Sequence, residues 1–434
     1  MTDSTAPTRL RVAALIDLPR SQQSGGHVKC WERLAAAAAD GALPLDLTVY
    51  FSGATRTETL GPHAHIRQLP PVFSTARLKP ILPYVPDHTD LAPYHPALAR
   101  ELAGYDAIHT TDGYFAFART AERVSRRAAI PLVTSFHTDT PSYARIFTRQ
   151  TIEKLFGSSW LGRKLIEDWH LPERQETKMT AKLRDHVRRC RYALVTRAED
   201  FTLAESVLGK DSVRHLRLGV DRAVFGPHRR ARESVERDYA IPHDRLVVLF
   251  VGRLDVGKNI YTLIEAMETL IAEGLPLHLI AAGIGPAADD LKKRLAGHVA
   301  VPGFVQPDEL ARLYASVDVL ALASEVEIRS MAGVEALTSG CPVLVSKKSG
   351  VAELFNHTPA METVESGVEP WTTALRNFAA EPARRDAMRE TATAYGRTHL
   401  ASWQDVLAED LFAVWWEAAR GKKPDLNKTP KNAA

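Results

Sequence analysis

Two doubly wound α/β domains in one chain are what this sequence predicts, on three observations. Short apolar runs alternate with helix-length amphipathic segments from one end to the other. The alternation restarts after residue 245 with the most apolar run of the chain, Leu246–Val251. Finally, 434 residues exceed what one core ordinarily organises. Apolar runs bounded by helices read as strands covered on both faces, the signature of parallel sheets.

The first series opens with Leu10–Ile16 as a buried strand, then Gly25-Gly26 and a helix over Val28–Ala39. Strands are expected at Leu45–Phe51, Ala107–Thr110, Leu132–Phe136, Tyr192–Thr196 and Val213–Leu218, with helices at Phe115–Ala129 and Glu199–Leu208 among them. Asp221–Arg245, charged and carrying Pro227 and Pro242, reads as the linker. In the second series Leu246–Val251 precedes a helix at Asn259–Ala272, followed by a strand at Leu277–Ala282 and helices at Ala288–Ala296 and Asp308–Val317. A strand at Val319–Ala323, a helix at Met331–Ser339 and a strand at Pro342–Ser346 complete it. Expected domains are therefore 1–225 and 226–400. The apolar helix 401–420, with Trp415 and Trp416, is expected to pack back across them, and 421–434 reads as a polar, disordered tail.

Composition narrows the function. Lys and Arg number 55 against 52 acids, a net charge of +3, too small to point to nucleic acid. Three cysteines, Cys30, Cys190 and Cys341, form neither a disulfide framework nor a metal spacing. The first twenty residues lack a signal-peptide layout, and no apolar run approaches the roughly 20 residues that span a bilayer. The expectation is a cytoplasmic protein, peripheral on the inner face of a membrane.

Four segments fall at expected strand ends, where open α/β sheets bind ligands. Gly25 and Gly26 precede a helix, so backbone can approach an anion closely. Gly252-Arg253 ends a strand and Lys258-Asn259 opens the next helix, placing two cations for a diphosphate. Glu327 and Glu335 lie one in a loop and one in a helix, and a carboxylate can accept from both hydroxyls of a vicinal diol. His137 follows a strand of the first domain, facing the expected cleft.

Together these segments resemble the GT-B glycosyltransferases of the large retaining family four, over roughly residues 11–419. In family order stand Gly25-Gly26, His137, Leu218-Gly219-Val220-Asp221, Gly252-Arg253-Leu254 with Lys258, and Gly283-Ile284-Gly285-Pro286. Gly303-Phe304-Val305 and the Glu327/Glu335 pair with Gly340-Cys341-Pro342 follow. The resemblance implies two Rossmann-like domains facing across a cleft and transfer from a nucleotide sugar. It implies that Arg253 and Lys258 hold the diphosphate and Glu335 the ribose. Glu327 would hold the donor sugar, Gly26 would approach the distal phosphate and His137 would line the donor–acceptor junction. The Gly303–Val305 turn would sit near the base. Arg329 and Ser330 stand where the family usually has an aromatic residue and a glycine, which opens the donor to a uronic acid paired with Arg329.

Asp-x-Asp, the usual metal-holding pair of unrelated transferases, is absent from the sequence. Fixed cations are then expected to meet the leaving group's charge, with no metal and no cofactor beyond the UDP-sugar or other nucleotide sugar. Ser135–Tyr143 resembles the His-Thr-x-x-Pro-x-Tyr stretch of enzymes that glycosylate diacylglycerol. After it, twelve Lys and Arg stand against six acids over residues 145–191, a charge of +6, interleaved with Phe147, Phe156, Trp160 and Trp169. A lipid acceptor at an anionic membrane surface is the reading. The alternatives are a saccharide or lipopolysaccharide-type acceptor, and a catalytically dead scaffold of the same fold.

Overall fold

The computed structural model describes residues 9–21, 24–75, 90–157, 159–355 and 357–421; the expected tail beyond 421 lies outside them. Two compact units divide the chain, one of Met1–Arg217 with Trp403–Ala434, the other of Leu218–Ser402.

Unit 1 begins with β1 (Leu10–Pro19), α1 (Gly26–Ala38), β2 (Leu45–Ser52), β3 (Arg56–Gly61), β4 (Ala64–Leu69) and α2 (Pro96–Leu102). It continues with β5 (Ala107–Thr110), α3 (Ala116–Ala128), β6 (Leu132–Ser135), α4 (Thr140–Phe156), α5 (Trp160–Arg163) and α6 (Leu171–Val187). Then come β7 (Tyr192–Val195), α7 (Ala198–Leu208) and β8 (Val213–His215). The sheet order is β3-β4-β2-β1-β5-β6-β7-β8, parallel except for the β3–β4 hairpin, which the sequence pattern did not announce. Strand order reverses between β1 and β5, and Val12 through Ile16 on β1 are wholly buried.

Unit 2 contains β9 (Gly219–Val220), α8 (Arg232–Asp238), β10 (Leu246–Val251), α9 (Ile260–Ala272), β11 (Leu277–Ala282), α10 (Ala288–Arg294) and β12 (Val299–Gly303). After them come α11 (Pro307–Ser316), β13 (Val319–Leu322), α12 (Met331–Thr338), β14 (Val343–Ser346), α13 (Gly350–Leu354) and β15 (Met361–Val364). α14 (Val368–Ala380), α15 (Pro382–Thr398) and β16 (Ala401–Ser402) close the unit. Its six parallel strands run β12-β11-β10-β13-β14-β15, the doubly wound order with its reversal between β10 and β13. Successive β10 residues serve different cores. Val247 and Leu249 pack with Val235 and Tyr314, whereas Val248 and Phe250 pack with Leu263 and Trp371. A strand covered on both faces must be apolar at every position, which is why Leu246–Val251 stood out.

Asp221–Arg245, read as a linker, is instead part of unit 2. Phe225, Val235 and Ile241 are buried in its core, and Arg232 reaches Asp318 at 2.9 Å and the Arg245 carbonyl at 2.7 Å. Three well-spaced apolar residues anchor a segment whose charge suggested solvent.

The C-terminal helix is α16 (Trp403–Asp405), a π-helical stretch Val406–Phe412, and α17 (Ala413–Arg420), within unit 1. Arg217 clamps it through Asp410 and Glu409, each at 2.7 Å.

Candidate functional site

In unit 2 the sequence-predicted residues gather at the carboxyl ends of β10 and β13, beside the reversal point. Asp255 caps the turn Val256–Lys258, accepting from the Lys258 amide at 3.1 Å, and its other oxygen holds the Arg253 guanidinium at 3.1 Å. Lys258 Nζ lies 2.9 Å from Glu327 Oε1, with both side chains about four-fifths buried (20% and 17% exposed). The two loops are sewn together: Asn259, at φ 54°, donates to the Ala323 carbonyl at 3.2 Å, and Ser324 donates to that of Gly257 at 3.2 Å. Behind Glu327, the Gly350 amide and Ser349 hydroxyl donate to its carbonyl at 2.9 and 3.3 Å.

Glu335 sits half-buried on α12. Burial first, and the carboxylates of Glu335 and then Glu327, push the Tyr314 hydroxyl well above its usual pKa. Both acids thus bear electrostatically on one buried phenol. Arg253 attaches through Asp255.

The remaining predicted residues fall differently. Gly303 ends β12 two strands from β10, with Phe304 partly exposed and Val305 packed against the core. Arg329 is half-buried between Ile328 and Ser330, each 2% exposed. Ser330 is the N-cap of α12, its hydroxyl accepting from the Gly333 amide at 3.3 Å. That hydroxyl is held beneath the helix start, a local role that its neighbour Glu327 obscured in the sequence.

Gly252 leaves β10 beside Gly283, where an added Cβ would lie 1.8 Å from the Gly252 carbonyl oxygen. A Cβ on Gly285 would lie 2.4 Å from that of Leu254. Only glycine lets the loop after β11 close on the Arg253 loop, where Leu254 donates to the Ile284 carbonyl at 2.9 Å.

In unit 1, Gly25 precedes α1 with ordinary backbone angles, and a Cβ there would meet nothing within 4 Å. Neither packing nor backbone strain within the unit requires glycine at this position. Gly26 begins the helix and is exposed. The next residue, His27, stacks on His137 with ring centroids 4.4 Å apart and 3° between planes. His137 follows β6, its Nε2 2.7 Å from Ser135 Oγ. His27 was not among the predicted residues; its place beside the Gly25-Gly26 pair was the signal. Among the described residues no group of three or more His, Cys, Asp or Glu is placed to hold a metal ion.

Comparison with known proteins finds a family match that lies within unit 2. The family "Glycosyl transferases group 1" matches residues 231–395. Sulfoquinovosyl transferase SQD2 of Arabidopsis thaliana is 30% identical over 263 residues, 57% of this chain and 44% of that one. A D-inositol 3-phosphate glycosyltransferase of Corynebacterium urealyticum is 28% identical over 203 residues, 43% of this chain and 47% of that one. The alpha-monoglucosyldiacylglycerol synthase of Streptococcus pneumoniae is 30% identical over 100 residues, 22% of this chain and 23% of that one. The chain thus spans less than half the length of these curated relatives. Among solved structures, sucrose-phosphate synthase of Thermosynechococcus elongatus superposes with a TM-score of 0.68 at 16% identity, over 92% of this chain and 96% of that one. The fold is GT-B, and within unit 2 residues 231–395 are similar to the group 1 glycosyl transferases.

Proposed function

We propose that this chain transfers a hexose or uronic acid from a nucleotide diphosphate sugar to a membrane lipid such as diacylglycerol, with retention of anomeric configuration. The observation that carries the donor half is the Lys258–Glu327 pair beside Arg253, at the reversal point of the unit 2 sheet. Arg253 and Lys258 receive the diphosphate and meet the charge that grows on it as the glycosidic bond breaks. Being already fixed by Asp255 and Glu327, they reorganise little, which is where electrostatic catalysis gains most. Glu327 takes sugar hydroxyls and Glu335 the ribose, while Gly25, Gly26 and His137 serve the distal phosphate and the acceptor. The charge is handled without a metal.

For the lipid, support comes from unit 1. Leu155, Phe156, Trp160 and Trp169 are exposed around α5, and Lys164 Nζ lies 5.8 and 5.9 Å from the two indole centroids. Aromatic residues with cations among them suit the headgroup layer of an anionic membrane. No helix among the described residues is long and apolar enough to cross a membrane, so attachment would be peripheral. The name of the pneumococcal relative points the same way. A second reading, a soluble polyol or saccharide acceptor, is favoured by the inositol phosphate enzyme.

The test is incubation with a panel of nucleotide sugars, offering diacylglycerol in anionic vesicles or soluble acceptors, with mass spectrometry of products. Glycosylated lipid is expected. Product on the soluble acceptor alone selects the second reading, and absence of both product and calorimetric donor binding removes the transferase reading.

A further inference from the structure

A chain of buried hydrogen bonds crosses unit 1 from the C-terminal helix to His137. Trp415 Nε1 lies 2.9 Å from His109 Nδ1, across 306 residues of sequence. His109 Nε2 lies 2.7 Å from Ser135 Oγ, and that oxygen lies 2.7 Å from His137 Nε2. We propose that Trp415, His109 and Ser135 are positioning residues that hold His137 as its neutral Nδ1–H tautomer. His137 then serves the transfer as a hydrogen-bond donor through Nδ1 and not as a base through Nε2. The proposal rests on the reading of His137 as a site residue.

Each direction follows from the one before. An indole nitrogen only donates, so His109 Nδ1 accepts and the proton of that ring sits on Nε2. His109 is wholly buried, and burial pushes its pKa down to about 3, so the ring is neutral. Its Nε2–H therefore donates to Ser135 Oγ. Ser135 is wholly buried too, and the hydroxyl's two partners are the two histidine nitrogens. One of these already carries a proton, so the hydroxyl hydrogen goes to His137 Nε2. A proton arriving at that nitrogen would turn an acceptor into a donor and strand the hydroxyl hydrogen in a dry interior. Every donor along the chain meets one acceptor, and the indole end cannot reverse. The His27 ring, parallel at 4.4 Å, and Trp31, tilted at 6.0 Å, fix the plane of His137 and with it the line of its Nδ1–H.

The tautomers can be read without turnover, from long-range proton–nitrogen spectra of full-length protein carrying 15N-histidine, at neutral pH. His109 should show Nε2–H and His137 Nδ1–H. Ser135→Ala and Trp415→Phe should shift His137 towards the other tautomer and lower kcat about ten- to a hundredfold, the scale seen where a metal-bound histidine loses its outer hydrogen-bond partner. Donor KM should change less than twofold. His109→Gln can accept from the indole and donate to Ser135, so it should restore tautomer and rate where His109→Leu does not. If a variant fails to fold, this Gln/Leu pair and the wild-type spectrum still decide. An Nε2–H or cationic His137 in the wild type, or an unchanged tautomer in Ser135→Ala, overturns the proposal. Tautomers as expected in a protein that transfers nothing would instead indict the functional reading and leave the chain standing.

Discussion

Lys258 and Glu327 form an ion pair that a diphosphate would have to share, and the two neighbouring loops are pinned to each other by Asn259 and Ser324. Lys258→Ala and Arg253→Ala should each lower kcat by about 10²–10³, the ~2.7–4 kcal/mol typical of one lost preorganised partner. Melting should barely change in Arg253→Ala, since Arg253 is half-exposed, whereas Lys258→Ala takes the cation away from the largely buried Glu327 carboxylate and should lower it. Near-normal turnover in both variants would dismiss the diphosphate assignment. Ser330 and Arg329 are adjacent but face different tests. Ser330→Ala removes a helix cap and should cost about 1 kcal/mol, seen in denaturant midpoint, with donor KM unmoved. A tenfold rise in KM would return Ser330 to the donor site. Arg329→Ala should weaken an anionic donor against its neutral counterpart about tenfold, because a bidentate guanidinium–carboxylate contact is worth ~1.5–3 kcal/mol; an unchanged ratio ends the uronic acid idea.

Elements place these residues through constraints that act on whole segments. The Arg253 loop keeps its shape because the loop after β11 closes on it, and Gly283 is where the two backbones come nearest. Gly283→Ala should therefore destabilise unit 2 by about 1–3 kcal/mol, the ordinary cost of overpacking, and also weaken donor binding. Calorimetry beside a thermal melt separates the two effects; a variant with wild-type melting and donor affinity would contradict the geometry. The segment 221–245 illustrates the opposite case. Its apolar residues are few, but Val235 is fully buried, so α8 is held by position and not by composition. Around α5 the apolar side chains are divided between interior and surface. Leu161 and Leu165 are half-buried, Trp160 and Trp169 are exposed, and the helix gives way to a π-turn at Lys164–Asp168.

Over the whole molecule the charge is small, yet residues 145–191 hold +6. Part of that segment is internally neutralised, with Arg145 and Glu176 at 3.1 Å and Arg149 and Glu173 at 3.5 Å between α4 and α6. Lys164 stands beside the two exposed tryptophans. Binding to sedimented vesicles should require anionic lipid and weaken with salt, each cation near the surface contributing about 1 kcal/mol within a Debye length. The double variant Trp160→Ser and Trp169→Ser should lose most of it. Equal binding to neutral vesicles, or none to either kind, would leave the lipid acceptor without its physical support.

Periodicity and local chemistry were enough to read the two doubly wound series, the strand ends and the cations and acids placed on them. Those features depend on residues near each other in sequence: a strand covered on both faces must be apolar throughout, and a loop at its carboxyl end carries its own side chains. Two things depended on residues far apart. The fate of 221–245 turned on Val235 meeting Tyr314. The setting of His137 turned on His27, His109 and, 278 positions onward, Trp415. A histidine's tautomer is decided by whichever donors and acceptors surround it in a dry interior, and only the folded chain brings those together.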